Sequence, residues 1–173
     1  MISVAVVFLS ASLSLTPARA AVVSRVLGDG KPDCLSYLPD GSQAPCIPSL
    51  LVTPDQDVHG AAKGVEIEIS AGAMNRLTED EFALLVGHEL AHWFLGHHES
   101  QPATEIAADR LGATLACRAG FNAHAGATLF RYFSGSTTYP EPKRRRRAVL
   151  QVPCPPVTIT SNVRTTLNIA VTR

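Results

Sequence analysis

Residues 78–96, which read TEDEFALLVGHELAHWFLG, decide the fold of this 173-residue chain. The first four form a capping box, in which the Thr78 side chain and the Glu81 side chain each accept a hydrogen bond from the other residue's backbone N–H. Apolar residues then recur at helical spacing, at Phe82, Leu84, Leu85, Leu90, Phe94 and Leu95. The stretch therefore predicts a helix that begins at Thr78 and ends near Gly96.

The same helix carries the pattern His88-Glu89-Leu90-Ala91-His92. Because His88 and His92 are four residues apart, both imidazoles project from one face and can share a cation. Zinc suits imidazole nitrogen, and at a reactive site it takes three protein ligands and keeps a position for water. Glu89 lies beside the first ligand and can take a proton from the zinc-bound water. We interpret the pattern as a zinc site with Glu89 as its catalytic base.

A second helix is expected to supply the third ligand. Pro102 suits its first turn, and Gly120 suits its end. Glu105 and Asp109 stand four residues apart on one face of this helix. Glu105 then completes the coordination of one Zn²⁺ per chain, and Asp109 hydrogen-bonds a ligand imidazole or clamps the first helix. The small residues that surround this pair let the two helices approach closely.

The sequence resembles the gluzincin metallopeptidases of the HtpX and CAAX prenyl endopeptidase type, metallopeptidase family 48. The matching text is residues 77–82, 87–92 with His97 following, 105–112 and 119–121. The resemblance covers residues 65–150, about half of the chain. It implies an α+β, zincin-like minimal metallopeptidase domain, whose ligand-bearing helices pack on a small sheet with an exposed edge strand. It also implies zinc ligands at His88, His92 and Glu105, and a catalytic Glu89.

Residues 65–69 alternate apolar and charged side chains, which is the period of a half-exposed strand. The outward carboxylates of Glu66 and Glu68 suit an edge strand. The strand resembles the edge strand of the family, which pairs with an extended substrate backbone. We therefore expect residues 65–69 to form the exposed edge of the sheet.

The chain departs from the family in two places. Tyr139-Pro140 stands where the family has a His-Pro dipeptide, whose His helps to stabilise the oxyanion. A phenol can also donate a hydrogen bond to an oxyanion, so we predict this role for Tyr139; the alternative is that the role is lost. Arg145 falls at the family's arginine position and is expected to support the site. The twelve residues between His92 and Glu105 are fewer than in many relatives.

Charged and histidine residues outside the site have simpler interpretations. The chain has 15 basic and 15 acidic residues, and this balance argues against a nucleic-acid binder. The basic run at residues 143–147 is expected to be a solvated helix face rather than a nucleic-acid patch. Four histidines are interpreted as surface or packing residues: His59, His97, His98 and His124.

The N-terminus predicts export. An apolar stretch at residues 2–15 precedes the small-x-small pattern Ala18-Arg19-Ala20, which is typical of a cleaved signal peptide. The stretch is short for a membrane span, although a retained anchor or a misassigned start are the alternatives. We therefore expect a periplasmic or secreted protein without a stable membrane span after cleavage.

The four cysteines agree with export, because an even set can form disulfides in an oxidising compartment. Three pairings are possible, and we favour Cys34 with Cys46 and Cys117 with Cys154. The alternative for Cys117 is a buried thiol.

The chain divides into four parts by number: a signal at 1–20, a loop-rich segment at 21–64, the metallopeptidase core at 65–150 and a strand-like tail at 151–173. Within them we expect a short strand at residues 21–26, loops at 28–54, helices at 123–133 and 141–150, and a strand or hairpin at 157–171.

The leading hypothesis is a zinc-dependent endopeptidase that hydrolyses extended peptides or unfolded proteins of the envelope or secreted pool. The alternative is a zinc-stabilised module that binds such chains with little catalysis. A third reading is an interaction protein without metal, in which the His-Glu-x-x-His pattern is coincidental.

Overall fold

The computed structural model describes residues 14–28, 31–37, 43–137 and 139–154, and it describes 31–37 and 43–45 by their backbone alone. The helices are α1 (Pro17–Leu27), α2 (Ala71–Arg76), α3 (Glu79–Leu95), α4 (Pro102–Arg118), α5 (Ala123–Gly126), a 3₁₀ helix (Ala127–Tyr132) and α6 (Pro142–Leu150). The strands are β1 (Lys31–Tyr37), β2 (Gln43–Cys46), β3 (Ser49–Thr53), β4 (Gly60–Lys63) and β5 (Glu66–Ser70). The α+β prediction is confirmed.

The central helix α3 begins and ends as its sequence predicts. Thr78 is the N-cap, and both hydrogen bonds of the capping box with Glu81 are formed. Gly96 ends the helix in the left-handed conformation, with φ of 65°, which glycine adopts without a steric penalty. The three helical stretches predicted after α3 are also formed: α4 starts at Pro102, α6 occupies 142–150, and the stretch 123–133 is helical but mostly 3₁₀.

Two glycines bring α3 and α4 into backbone contact. A Cβ atom on Gly112 would lie 2.6 Å from the backbone nitrogen of His88. A Cβ atom on Gly87 would lie 2.5 Å from the carbonyl oxygen of Gly112. Any larger residue would force the helices apart, so these glycines set the separation between the two ligand-bearing helices.

The three-stranded sheet corrects one prediction. Its order is β3-β5-β4, so residues 66–70 form the central strand and not the exposed edge. β5 pairs in parallel with β3 and antiparallel with β4, and β4 forms the edge that packs on α3. Alternation in the sequence reports which faces of a strand are buried, but it does not report how many neighbours the strand has. The Glu68 carboxylate is neutralised by Lys63 of β4, at 2.7 Å.

The N-terminal segment also differs from its prediction. Residues 21–26, expected as a strand, lie in α1, because the Thr16 side chain caps the helix and Pro17 occupies its first turn. Val22 and Val26, four residues apart, are buried in the core. The segment 28–54, expected as loops, contains β1, β2 and β3. The first two pair with each other, and β3 joins the main sheet.

Helix α1 runs across the predicted signal-cleavage position after Ala20. Just before that position, the Arg19 guanidinium donates hydrogen bonds to the carbonyl oxygens of Met74 and Leu77 and lies 4.4 Å from the ring centre of Phe82. The folded part of the chain therefore includes contacts from residues on both sides of that position.

The C-terminal end of the described chain is tied back to α4. Cys117 and Cys154 form a disulfide, as the sequence analysis favours, with their Cα atoms 5.3 Å apart. Cys46 is also disulfide-bonded, whereas the side chain of Cys34 and the predicted strand-like tail at 157–171 lie outside the described residues. Of the helices that the structure describes, none is both long enough and apolar enough to cross a membrane.

Candidate metal centre

Helices α3 and α4 bring His88, His92 and Glu105 together in the interior. The Nε2 atoms of the two histidines are 3.0 Å apart. The Glu105 carboxylate lies 3.4 Å from Nε2 of His88 and 3.5 Å from Nε2 of His92. One donor atom from each residue falls within 4.8 Å of the other two, and all three side chains are buried. The three residues could therefore hold one metal ion.

The donor set fits a transition-metal ion. It offers two imidazole nitrogens and one carboxylate oxygen, which suit zinc and leave a coordination position free. Glu105 is 2% exposed, yet its contacts with the two imidazoles and with Arg145 are long, at 3.4 to 3.5 Å. A buried carboxylate normally has closer partners. The Glu105 carboxylate therefore has room for a further partner, and its charge favours a cation.

Asp109 and Arg145 form a second layer behind the ligands. Asp109 accepts a hydrogen bond from Nδ1 of His88 at 2.9 Å, which leaves Nε2 directed at the other ligands. Arg145 of α6 donates to both carboxylate oxygens of Asp109, at 2.9 and 2.8 Å. This bidentate pair fixes the carboxylate that in turn fixes the imidazole. Arg145 is the inward residue of the basic run, whereas its neighbours Arg144 and Arg146 are exposed.

The charges of the centre shift its pKa values in opposite directions. Burial lowers the pKa of His88, but the carboxylates of Asp109 and Glu105 outweigh it and raise the pKa to about 9. Burial and the charge of His88 lower the pKa of His92 to about 4. Burial opposes ionisation of Glu105 and Asp109, but His88 and Arg145 hold both pKa values below their usual range. In the metal-free protein, the proton therefore resides on His88 and both carboxylates are ionised.

Glu89 lies beside the three donors and does not join them. Its side chain is 5% exposed. Burial raises the pKa of Glu89 to about 7, against the opposing charges of His88 and Arg145. The backbone N–H of Ala62 in β4 hydrogen-bonds its carboxylate. Gly60 of the same strand makes room for it, because a Cβ atom there would lie 2.8 Å from Glu89 Cγ. The carboxylate is thus poised between its charged and neutral forms near neutral pH.

The centre forms the floor of a cavity of about 420 Å³. One wall is the edge strand β4. Another wall is apolar and includes Leu84, Leu85, Leu129, Phe130 and Phe133. The rim is polar and includes His59, His97, His98, Glu99, Ser100 and Tyr139. The cavity is open to solvent, so a ligand larger than an ion can reach the floor.

The structure places the predicted residues in two groups. His88, His92, Glu105, Glu89, Asp109 and Arg145 are brought together on the floor. Tyr139 lies on the rim with 42% exposure, and its hydroxyl donates to Ser100 Oγ at 3.3 Å. The oxyanion role of Tyr139 stays a prediction.

One residue predicted to lie at the surface or in packing contacts touches a candidate ligand directly. His97, interpreted as a surface or packing residue, lies with its Nδ1 atom 3.1 Å from Nδ1 of His92. The signal that indicates this contact is Gly96, because a left-handed C-cap turns the next residue back toward the helix. His59 and His98 also line the cavity, whereas His124 bonds the carbonyl oxygen of Val152.

Comparison with known proteins found no matching family model and no match among curated proteins.

Proposed function

We propose that this protein is a zinc-dependent endopeptidase. One observation carries the proposal: a buried donor set of two histidines and a glutamate lies beside a second buried glutamate, Glu89, at the floor of an open cavity. Zinc binding by His88, His92 and Glu105 does not by itself require a second glutamate beside them. Glu89 is buried beside the donors, and a carboxylate in that position suits a group that takes and returns protons.

Each residue of the centre has a separate role in the proposed reaction. His88, His92 and Glu105 would hold the ion, which when bound supplies Lewis acidity and lowers the pKa of water. Glu89 would take a proton from the attacking water and pass it to the departing amine of the cleaved peptide bond. The backbone N–H of Ala62 in β4 faces the Glu89 carboxylate and favours its charged form. Tyr139, on the rim, would donate to the oxyanion.

An extended peptide is the substrate that the cavity walls favour. Strand β4 pairs with β5 on one side and packs on α3 beside the site, so a peptide can add to its other edge as a further strand. The apolar wall with Leu129, Phe130 and Phe133 would receive an apolar side chain of that peptide. The proposed substrates are therefore unfolded or extended segments of proteins.

The family and the cellular location complete the proposal. The quoted residues support membership of the gluzincin metallopeptidases of the HtpX and CAAX prenyl endopeptidase type. The Cys117–Cys154 disulfide is compatible with an oxidising compartment, and this supports export to the periplasm or the exterior. The proposed substrates would then be envelope or secreted proteins.

Zinc content and cleavage, measured on the same preparations, test the proposal. Fluorescein-labelled β-casein serves as an unfolded substrate for the wild type, Glu89→Gln, Glu105→Ala and Glu99→Gln. We expect about one zinc per chain in the wild type and in Glu89→Gln, and much less in Glu105→Ala. Cleavage by Glu89→Gln should fall by about 10²- to 10⁴-fold, the usual contribution of a general base. Glu99→Gln, which changes an exposed glutamate on the cavity rim, should behave as the wild type.

Other outcomes would refute parts of the proposal. A Glu89→Gln protein that cleaves at the wild-type rate would show that the activity has another origin. A wild type that binds zinc and casein without cleaving would support a binding module instead. A folded wild type without zinc affinity would refute the metal site itself.

A further inference from the structure

His97 lies beside His92, one of the two imidazole ligands. Gly96 ends α3 in the left-handed conformation, and the backbone N–H of His97 then donates to the carbonyl oxygen of His92 at 3.0 Å. This turn sets the two rings edge to face, with centroids 5.1 Å apart and planes at 70°. Their Nδ1 atoms are 3.1 Å apart, which is hydrogen-bonding distance.

A metal ion at Nε2 of His92 would fix which nitrogen of that ring carries the proton. A neutral imidazole has one N–H donor and one lone-pair acceptor. His92 directs Nε2 at His88 and Glu105, so a metal ion would bind at Nε2 and the proton must sit on Nδ1. That Nδ1–H needs an acceptor, and His97 Nδ1 is in place to be one. The proton of His97 then sits on its Nε2 atom.

The two imidazole ligands are therefore oriented by different groups. His88 directs its Nδ1 atom at the Asp109 carboxylate, at 2.9 Å. His92 directs its own Nδ1 atom at the ring of His97. Partners of this kind hold a metal-bound histidine in one tautomer and one ring orientation, and their loss weakens metal binding.

We propose that His97 is a positioning residue of the metal centre, whose Nδ1 atom accepts a hydrogen bond from His92 and keeps Nε2 of His92 available to the ion. The inference rests on the metal site of the proposed function and does not require peptide cleavage. It assigns a role to a residue outside the set of three candidate ligands.

Zinc affinity, measured by competition with a chromophoric chelator at pH 7, tests the role. His97→Ala should weaken zinc binding by about 10- to 100-fold, the usual cost of losing a partner of a ligand imidazole. His97→Asn should recover most of the affinity, because its side-chain oxygen can accept the same hydrogen bond. His98→Ala is the matched control: it removes the neighbouring exposed histidine of the same cavity and should leave the affinity unchanged.

A spectroscopic readout separates positioning from a general loss of folding. In zinc-loaded wild type, the Nδ1–H proton of His92 should give an NMR signal that is protected from exchange with water. His97→Ala should lose that protection while the remaining spectrum stays folded.

The proposal is overturned if His97→Ala binds zinc as the wild type does, if His97→Asn is as weak as His97→Ala, or if His98→Ala is equally impaired. A wild type that fails to bind zinc overturns it together with the proposed function. If zinc binding follows the expected pattern but casein is not cleaved, the endopeptidase proposal fails and the role of His97 stands.

Discussion

Two buried clusters of charge lie along α3, and they are built from the same residue types in different ways. At its first turn, Glu81 is 1% exposed and is held by Arg131. Around its middle, Asp109 and Glu105 are 1% and 2% exposed and are held by Arg145. Each cluster joins α3 to a later part of the chain through an arginine. We call them the Glu81 cluster and the Glu105 cluster.

In the Glu81 cluster, the hydrogen-bonding positions of the carboxylate are nearly all filled. Its carboxylate accepts hydrogen bonds from the Thr78 backbone at 3.0 Å, from Thr128 Oγ1 at 2.6 Å and from Arg131, which leaves little for another ligand. In the Glu105 cluster, Asp109 is closely bonded, but Glu105 has contacts of 3.4 to 3.5 Å and faces a cavity. Burial of charge alone therefore does not distinguish the two clusters. What distinguishes the Glu105 cluster is a buried charge whose partners leave room for one more, which makes it the candidate for a binding site.

Removal of Arg145 should have the largest effect. Arg145→Met leaves the carboxylates of Asp109 and Glu105 buried with less compensation, so the metal-free protein should lose about 3–5 kcal/mol of unfolding free energy. Arg131→Met should cost less, because the Arg131 side chain is 48% exposed and Glu81 keeps its threonine donors. Urea denaturation at pH 7 in the presence of a chelator measures both.

Arg146→Met is the control for the Arg145 substitution. It changes an exposed arginine next in sequence on α6 and should shift stability by less than about 0.5 kcal/mol. If Arg145→Met is as mild as this control, the Glu105 cluster does not depend on Arg145, and the comparison between the clusters loses its basis.

The Glu81 cluster should make the unfolding free energy depend on pH. Burial raises the pKa of Glu81, but hydrogen bonds from Arg131, Thr128 and Thr78 outweigh it and lower the pKa to about 2, from 4.5 in an unfolded chain. A depressed pKa stabilises the fold above pH 4.5, and this stability is lost as the pH falls toward 2. Glu81→Gln should therefore cost about 1–3 kcal/mol at pH 7 and almost nothing near pH 2.

Urea titrations of the wild type and Glu81→Gln between pH 2 and pH 7 measure that difference, with Glu79→Gln as the exposed control on the same helical turn. A cost that stays constant with pH would mean that Glu81 acts through shape and not through its charge.

The sequence predicts the parts of these clusters that depend on local spacing. The capping box of Thr78 and Glu81 places the start of α3, and the four-residue spacing of His88 and His92 places two donors on one face. Glu105 and Asp109 follow from the same rule on α4. Residues of this kind need only the helix to form, and the caps and apolar periodicity predict that the helix forms.

The other features of the fold and of the candidate site depend on contacts between segments that are distant in the sequence. Nothing within residues 49–53 or 65–70 reports that β3 pairs in parallel with β5 and moves the edge to β4. Residues 21–26 were expected to form a strand because the stretch is apolar and short, whereas the burial of Val22 and Val26 on one helical face emerges only when α1 packs on the core. Gly112 could be identified as a small residue, but the contact with His88 that requires it emerges only from the packed helices.

A substitution of Tyr139, on the cavity rim, should have the smallest effect on stability. It is also the sharpest test of the proposed chemistry at the Glu105 cluster. Tyr139→Phe removes a hydroxyl that bonds Ser100 on an exposed surface, so unfolding free energy should change by less than about 0.5 kcal/mol and zinc content should not change. If the phenol donates to the oxyanion, kcat on casein should fall by about 10²- to 10³-fold. Ser100→Ala removes the same hydrogen bond but keeps the phenol, and it should retain most of the rate. If Tyr139→Phe keeps the wild-type kcat, Tyr139 takes no part in the reaction. The reacting side chains would then be those on the cavity floor, including Glu89.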